Sequence, residues 1–199
     1  MNLQAICISL LLFAGWCTAQ NDDLTDNQER LNNFNDIKKN EVSLDVVAGI
    51  AGLGINPRYE RVLGRYAGVG VDVNIGIEDE DYDYLETFSL TPYYRQYFFS
   101  KEDYGAKGFY GEGFMKFFTY EDRFSVFDNG GNSTRITAEK YTELALGVGI
   151  GWKWVSDSGF LIDVGFGIGR NLGLADESPE GREQPEITGR GGVNFGWRF

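Results

Sequence analysis

Twelve charged side chains stand out in a chain otherwise rich in glycine and aromatic residues. They are the acids Asp45, Glu60, Asp72, Glu112, Glu143 and Asp163, and the bases Arg58, Arg95, Lys116, Lys153, Arg190 and Arg198. A charge withdrawn from water persists only when it is paired and hydrogen-bonded. Six acids against six bases therefore predict a near-neutral, mutually paired interior network. Glu112 and Glu143 are also candidates for a two-carboxylate site of general acid–base chemistry. The competing reading pairs each of them with a neighbouring base. The chain has no His, which removes Ser-His-Asp, Cys-His and His-metal chemistry. No enzymatic activity, metal or cofactor is expected.

Two further motifs carry weaker chemistry. The run Glu78-Asp79-Glu80-Asp81-Tyr82-Asp83-Tyr84 offers carboxylate oxygens suited to Ca²⁺ or Mg²⁺. It lacks EF-hand spacing, and a solvated acidic loop is the plainer reading. Asn132-Ser133-Thr134 fits the N-glycosylation pattern as a chance match in a polar loop, beside a turn tip at Asn129-Gly130-Gly131.

The formal charge of −12 over 199 residues argues against a nucleic-acid partner. Residues 5–17 are apolar apart from Ser9 and Gly15, a length suited to a signal-peptide core and too short for a membrane-spanning helix. Small residues at Cys17 and Ala19 place cleavage after Ala19, so residues 1–19 are read as a signal peptide. Both cysteines, Cys7 and Cys17, fall within it. The processed chain then has no thiol or disulfide chemistry. Residues 20–40, rich in Asn and Asp, are expected to be a flexible or partly helical lead-in, with a small lumen plug or partner-docking helix as the alternative reading.

From Glu41 onward the apolar pattern repeats every second residue. Residues 67–77, 144–154 and 160–168 alternate apolar side chains with Gly or isolated charges. Residues 87–99, 108–120 and 187–199 do so less cleanly. A 22-residue block, 41–62, exceeds ordinary strand length and splits at its glycines into strands 41–49 and 54–62. The expectation is eight antiparallel strands within a barrel domain at 41–199.

The polar face decides which way such a barrel turns. It is mostly Gly with widely spaced ions, a poor surface for water but a workable narrow interior. The Gly faces would make room for Tyr93, Tyr97, Tyr110 and Phe114. Connections at 63–65, 100–107 and 156–159 are short. Those at 121–137 and 173–185 are long, and 78–85 is intermediate. Phe98, Trp152, Trp154, Phe160, Trp197 and Phe199 gather at the short-turn end, as an aromatic interface girdle does. The fold class predicted is all-β: an eight-stranded antiparallel transmembrane β-barrel with short periplasmic turns and longer extracellular loops.

The last residues, Val193, Phe195, Trp197 and Phe199, lie at every second position. They resemble the C-terminal assembly signal of Gram-negative outer-membrane barrels. In size and strand count, residues 41–199 resemble small eight-stranded outer-membrane proteins such as OmpX and the OmpA barrel. Pro57-Arg58-Tyr59-Glu60-Arg61 and Pro92-Tyr93-Tyr94-Arg95-Gln96-Tyr97-Phe98 are similar to a group of Bacteroidota barrels without assigned activity.

The resemblance implies an outer-membrane location, with membrane lipids, lipopolysaccharide and the barrel-insertion machinery as partners. It implies a structural or surface-interaction role with no open pore. Two alternatives stay open. One is an accessory subunit docked on another outer-membrane protein; the other is a soluble secreted lipocalin-like ligand-binding barrel.

Overall fold

A computed structural model describes residues 38–50, 54–76, 84–98, 105–127, 133–174 and 185–199. Its elements in chain order are β1 (Asn40–Asp45), α1 (Val46–Ile50), β2 (Gly54–Ile55), β3 (Pro57–Val62), β4 (Ala67–Gly76) and β5 (Tyr84–Phe98). They continue with β6 (Gly108–Phe127), β7 (Ser133–Val155), β8 (Phe160–Asn171) and β9 (Ile187–Arg198). β2 and β3 are two parts of one strand interrupted at Asn56, and both pair with β4. Each strand then pairs antiparallel with the next. The first closes on the last through β1 and β9, where Asn40 and Phe199 exchange N–H···O bonds of 2.8 and 3.0 Å. β1 also pairs with β3. The described residues thus form a closed eight-stranded antiparallel barrel with almost no helix. Closure leaves no sheet edge around the ring.

The alternation seen in sequence sets the two faces. Along β7, Leu146, Val148, Ile150, Trp152 and Trp154 are exposed, while Ala145 and Lys153 between them are buried. Along β8, Val164, Phe166 and Ile168 are exposed and Leu161 and Asp163 are buried. The period of two carries one set of side chains out and the other in. The barrel therefore wears most of its aliphatic residues and its described tryptophans outside, while several tyrosine and phenylalanine rings point in.

Tight turns close one end. At 63–66, Leu63 N and Gly64 N both donate to Ala67 O. At 156–159, Gly159 takes φ +103°, a region closed to most side chains, and any Cβ there would run into Arg198 O. Just inside this end, Val62, Tyr97, Ala106, Val155 and Leu161 are buried together with Arg198. Ala106 O accepts a hydrogen bond from Arg198 Nη2.

The structure departs from the sequence reading at two places. The first strand stops at Asp45 instead of running to Gly49, because Asp45 Oδ1 accepts from Val47 N (2.8 Å) and Ala48 N (3.3 Å) and starts one helical turn. The segment 121–137, read as a long loop, is largely strand. β6 runs to Phe127 and β7 begins at Ser133, with paired rungs from Glu121↔Lys140 to Phe127↔Ser133. Strand pairing there continues past the region of apolar alternation, which had marked the apparent ends. The signal segment 1–19, nearly all of the lead-in 20–40, the acidic run 78–83 and the turn tip 129–131 lie outside the described residues, as does most of 173–185.

Candidate functional site

The lumen is built by the inward positions of every strand. Glycines on β4, β7 and β8 receive the large rings of other strands. An added Cβ at Gly151 or Gly165 would strike the Tyr110 ring and hydroxyl. One at Gly147 or Gly167 would strike Phe114, and one at Gly70 would strike Tyr93. With those rings seated, a lattice of ions fills the middle.

Arg58 anchors the lattice on one side. It donates through Nε (3.0 Å) and Nη2 (2.7 Å) to Asp72 Oδ2, and through Nη1 (2.9 Å) to Asp163 Oδ2. Arg190 donates to Asp72 Oδ2 (2.9 Å) and Glu112 Oε1 (2.6 Å). Arg95 donates to Glu112 Oε2 (2.8 Å), Asp163 Oδ2 (2.7 Å) and Glu60 Oε2 (2.8 Å). These contacts close a ring of alternating sign: Arg58, Asp72, Arg190, Glu112, Arg95, Asp163. From Glu60 the chain continues through Lys153 Nζ (2.7 Å) to Glu41 (2.7 Å), and from Glu41 to Arg198 Nε (2.7 Å).

The five acids and five bases so joined come from all eight strands of the barrel. The remaining lone pairs are taken by tyrosines. Tyr110 OH donates to Asp163 Oδ1 (2.7 Å), Tyr97 OH to Glu60 Oε1 (2.8 Å) and Tyr93 OH to Glu60 Oε2 (3.1 Å). The Arg95 guanidinium lies over the Tyr110 ring at 4.1 Å and near that of Tyr93 at 4.5 Å. Such contacts supply the hydrogen bonds and stacking that a charge removed from water requires.

Nine of the twelve sequence-identified ions sit in this lattice. Lys116 lies apart, paired with Glu86 (2.6 Å) and donating to Thr188 and Gly189 O. The Asp45 carboxylate caps α1. Glu143 accepts from Leu144 N (2.8 Å) and Leu174 N (2.9 Å). Glu112 faces Gly149 across β6–β7, whereas Glu143 faces Phe118, six residues along β7. That separates the two carboxylates by roughly 20 Å at the rise of a strand, too far to share one reacting atom. Glu41 is the lattice member the sequence reading omitted. Its signal was parity, since it lies two and four residues before the inward Ser43 and Asp45. Among the described residues, no group of three or more Asp, Glu, Cys or His side chains is placed to hold a metal.

The outward residues Phe195, Trp197 and Phe199 are exposed and Val193 is half-exposed. Phe160 packs against Trp154 (6.3 Å), Trp197 (6.0 Å) and Phe195 (6.2 Å) on the outer wall, next to the 156–159 turn. A cavity of about 570 Å³ lies on the other side of the ion lattice. Its lining includes Asp45, Asn56, Arg58, Asp72, Asn74, Glu86, Ser89, Thr91, Lys116 and Arg190. The lumen is thus layered: an apolar seal at the short-turn end, the ion lattice, then a polar vestibule. Comparison of the chain with protein families, with curated proteins and with solved structures gives no significant match.

Proposed function

We propose that this chain is an outer-membrane β-barrel protein that crosses the bilayer with its eight strands and serves a structural or surface-interaction role without an open pore. The observation that carries the reading is the inverted polarity of the wall. Val148, Ile150 and Phe166 are 66%, 60% and 67% exposed on the outside, while nine of the ten lattice ions are buried within and the tenth, Arg190, is half-buried. A soluble barrel presents charged residues to water and keeps its apolar face inside, so this polarity argues against the lipocalin-like alternative.

The height of the apolar wall agrees with a bilayer. From Leu144 to Trp154 the outward positions of β7 cover ten residue steps, roughly 33 Å along a strand. At the usual tilt near 40°, that is about 25 Å across the membrane, the height of an outer-membrane apolar band. Polar outward residues bound it. Thr119 and Thr142 pair hydroxyls at 3.3 Å on one side. Asn40, Gln96 and Arg61 occur toward the short-turn side. The Trp and Phe cluster at that end fits an interfacial girdle. In this reading the short turns face the periplasm and the longer connections face outward. Membrane lipids and lipopolysaccharide contact the wall. The 193–199 stretch engages the insertion machinery, and the motifs at 57–61 and 92–98 group the chain with Bacteroidota barrels.

The apolar seal and lattice support a closed lumen, and the ion pairing of the five lattice carboxylates supports a non-enzymatic role. The test is direct. The purified chain should remain in the membrane fraction until detergent is added and should migrate faster on SDS gels before boiling than after. It should give no conductance steps in planar bilayers. A monomer soluble without detergent would overturn the membrane reading, and steady single-channel steps would overturn the closed lumen.

A further inference from the structure

We propose that the vestibule above the ion lattice is a binding site for a small polyhydroxylated amine, the chemical class of an amino sugar, with its ammonium held by Asp45. The inference stands on the cavity alone and not on where the barrel resides. It begins with charge. All six lumen bases, Arg58, Arg95, Lys116, Lys153, Arg190 and Arg198, are engaged by six acids: Glu41, Glu60, Asp72, Glu86, Glu112 and Asp163. Asp45 falls outside that set. It is 3% exposed and lines the cavity, and among the described residues no base lies within ion-pair distance of it.

Its Oδ1 is satisfied by the two N–H groups of α1, but among the described residues no donor meets Oδ2. A carboxylate on a largely buried residue that has no base beside it favours a cation at its open oxygen. The chain makes deliberate room for this arrangement. Any side chain at Gly192 would collide with the Asp45 carboxylate.

The rest of the lining has the complementary character. Ser89 and Thr91 are each 3% exposed, line the same cavity, and their hydroxyls make no hydrogen bond among the described residues. Asn56 Oδ1 is buried without a partner. Each base in the lining, Arg58, Lys116 and Arg190, already holds a carboxylate. Lys116 Nζ has three acceptors, and the Arg58 nitrogens are all bonded. What remains open is acceptor oxygen and hydroxyl, which suits a ligand rich in N–H and O–H donors and carrying one positive charge. An anion would find no free donor cation. A bare metal ion would leave most of the ~570 Å³ unused, a volume within the range of small-molecule sites.

Isothermal titration calorimetry on the full chain folded in detergent micelles tests this, with glucosamine as probe and N-acetylglucosamine as its neutral counterpart. The expected result is glucosamine bound at least about tenfold more tightly than the neutral sugar, the scale of one charge-assisted hydrogen bond. Asp45→Asn should erase that preference. Asn caps a helix as well as Asp does, so the variant should keep the gel shift of the folded barrel. The double variant Ser89→Ala/Thr91→Val should weaken both sugars while keeping their ratio. No heat with glucosamine, equal affinity for the two sugars, or a preference that survives Asp45→Asn would each overturn the proposal.

Discussion

Arg95 is the most connected ion of the lumen, and removing it tests whether the lattice holds the barrel together. It bonds three carboxylates, Glu60, Glu112 and Asp163, and stacks on two tyrosine rings. Summing three broken buried pairs would give an implausibly large loss. Each carboxylate, however, keeps another base: Lys153 for Glu60, Arg190 for Glu112 and Arg58 for Asp163. The expected cost of Arg95→Met is therefore that of one uncompensated buried charge, about 3–5 kcal/mol.

The assay is urea unfolding of the chain in lipid vesicles, followed by tryptophan fluorescence. Because the site is buried, the loss should be nearly the same in 0.1 M and 1 M salt. Adding Glu112→Gln restores charge balance and leaves an acceptor for Arg190, so the double variant should recover at least about half of the loss. An Arg95→Met loss below about 0.5 kcal/mol would refute the reasoning, since it is the size of a solvated surface pair. A loss that vanished in high salt would do the same.

Four further outcomes follow from the same geometry. Gly151→Ala forces a Cβ into the Tyr110 ring and should cost about 1–3 kcal/mol. Gly113→Ala, with nothing within 4 Å of the new methyl, should be neutral or stabilising by up to about 1 kcal/mol in the same unfolding assay. Val148→Arg places a charge midway up the exposed apolar wall and should cost about 2–4 kcal/mol in vesicles. That penalty should shrink when the same substitution is made at Thr142, at the edge of the wall. Gly192→Ala should displace the Asp45 carboxylate and weaken glucosamine binding as strongly as Asp45→Asn.

The strands were legible where one face is apolar and the other glycine. Residues 67–76, 144–154 and 160–168 needed only a period of two, and β4, β7 and β8 contain them. The same rule failed at both kinds of strand end. Val46, Val47 and Ala48 look like strand by composition, yet the Asp45 side chain bonds the N–H groups of Val47 and Ala48 locally and turns the chain into α1. Beyond Thr119 and Thr142 the backbone ladder continues, where the charged run Glu121-Asp122-Arg123 interrupts the apolar alternation in sequence.

The inward ions were legible one at a time from strand parity, but their partners were not. Lys153 meets Glu41 across 112 residues of sequence and Arg58 meets Asp163 across 105. Only barrel closure and register bring such residues together. The vestibule was illegible for the same reason, since its lining comes from β1, α1, β3, β4, β5, β6, β8 and β9 and the residue between β2 and β3.

The central claim is that the outer wall meets acyl chains. Trp152, Trp154 and Trp197 all lie on that wall, 45%, 43% and 48% exposed. With Trp16→Phe removing the fourth tryptophan, their fluorescence in vesicles should be quenched by lipids brominated on the acyl chain and left nearly untouched by aqueous iodide. Strong iodide quenching with no response to brominated lipid would place those side chains in water and contradict the account.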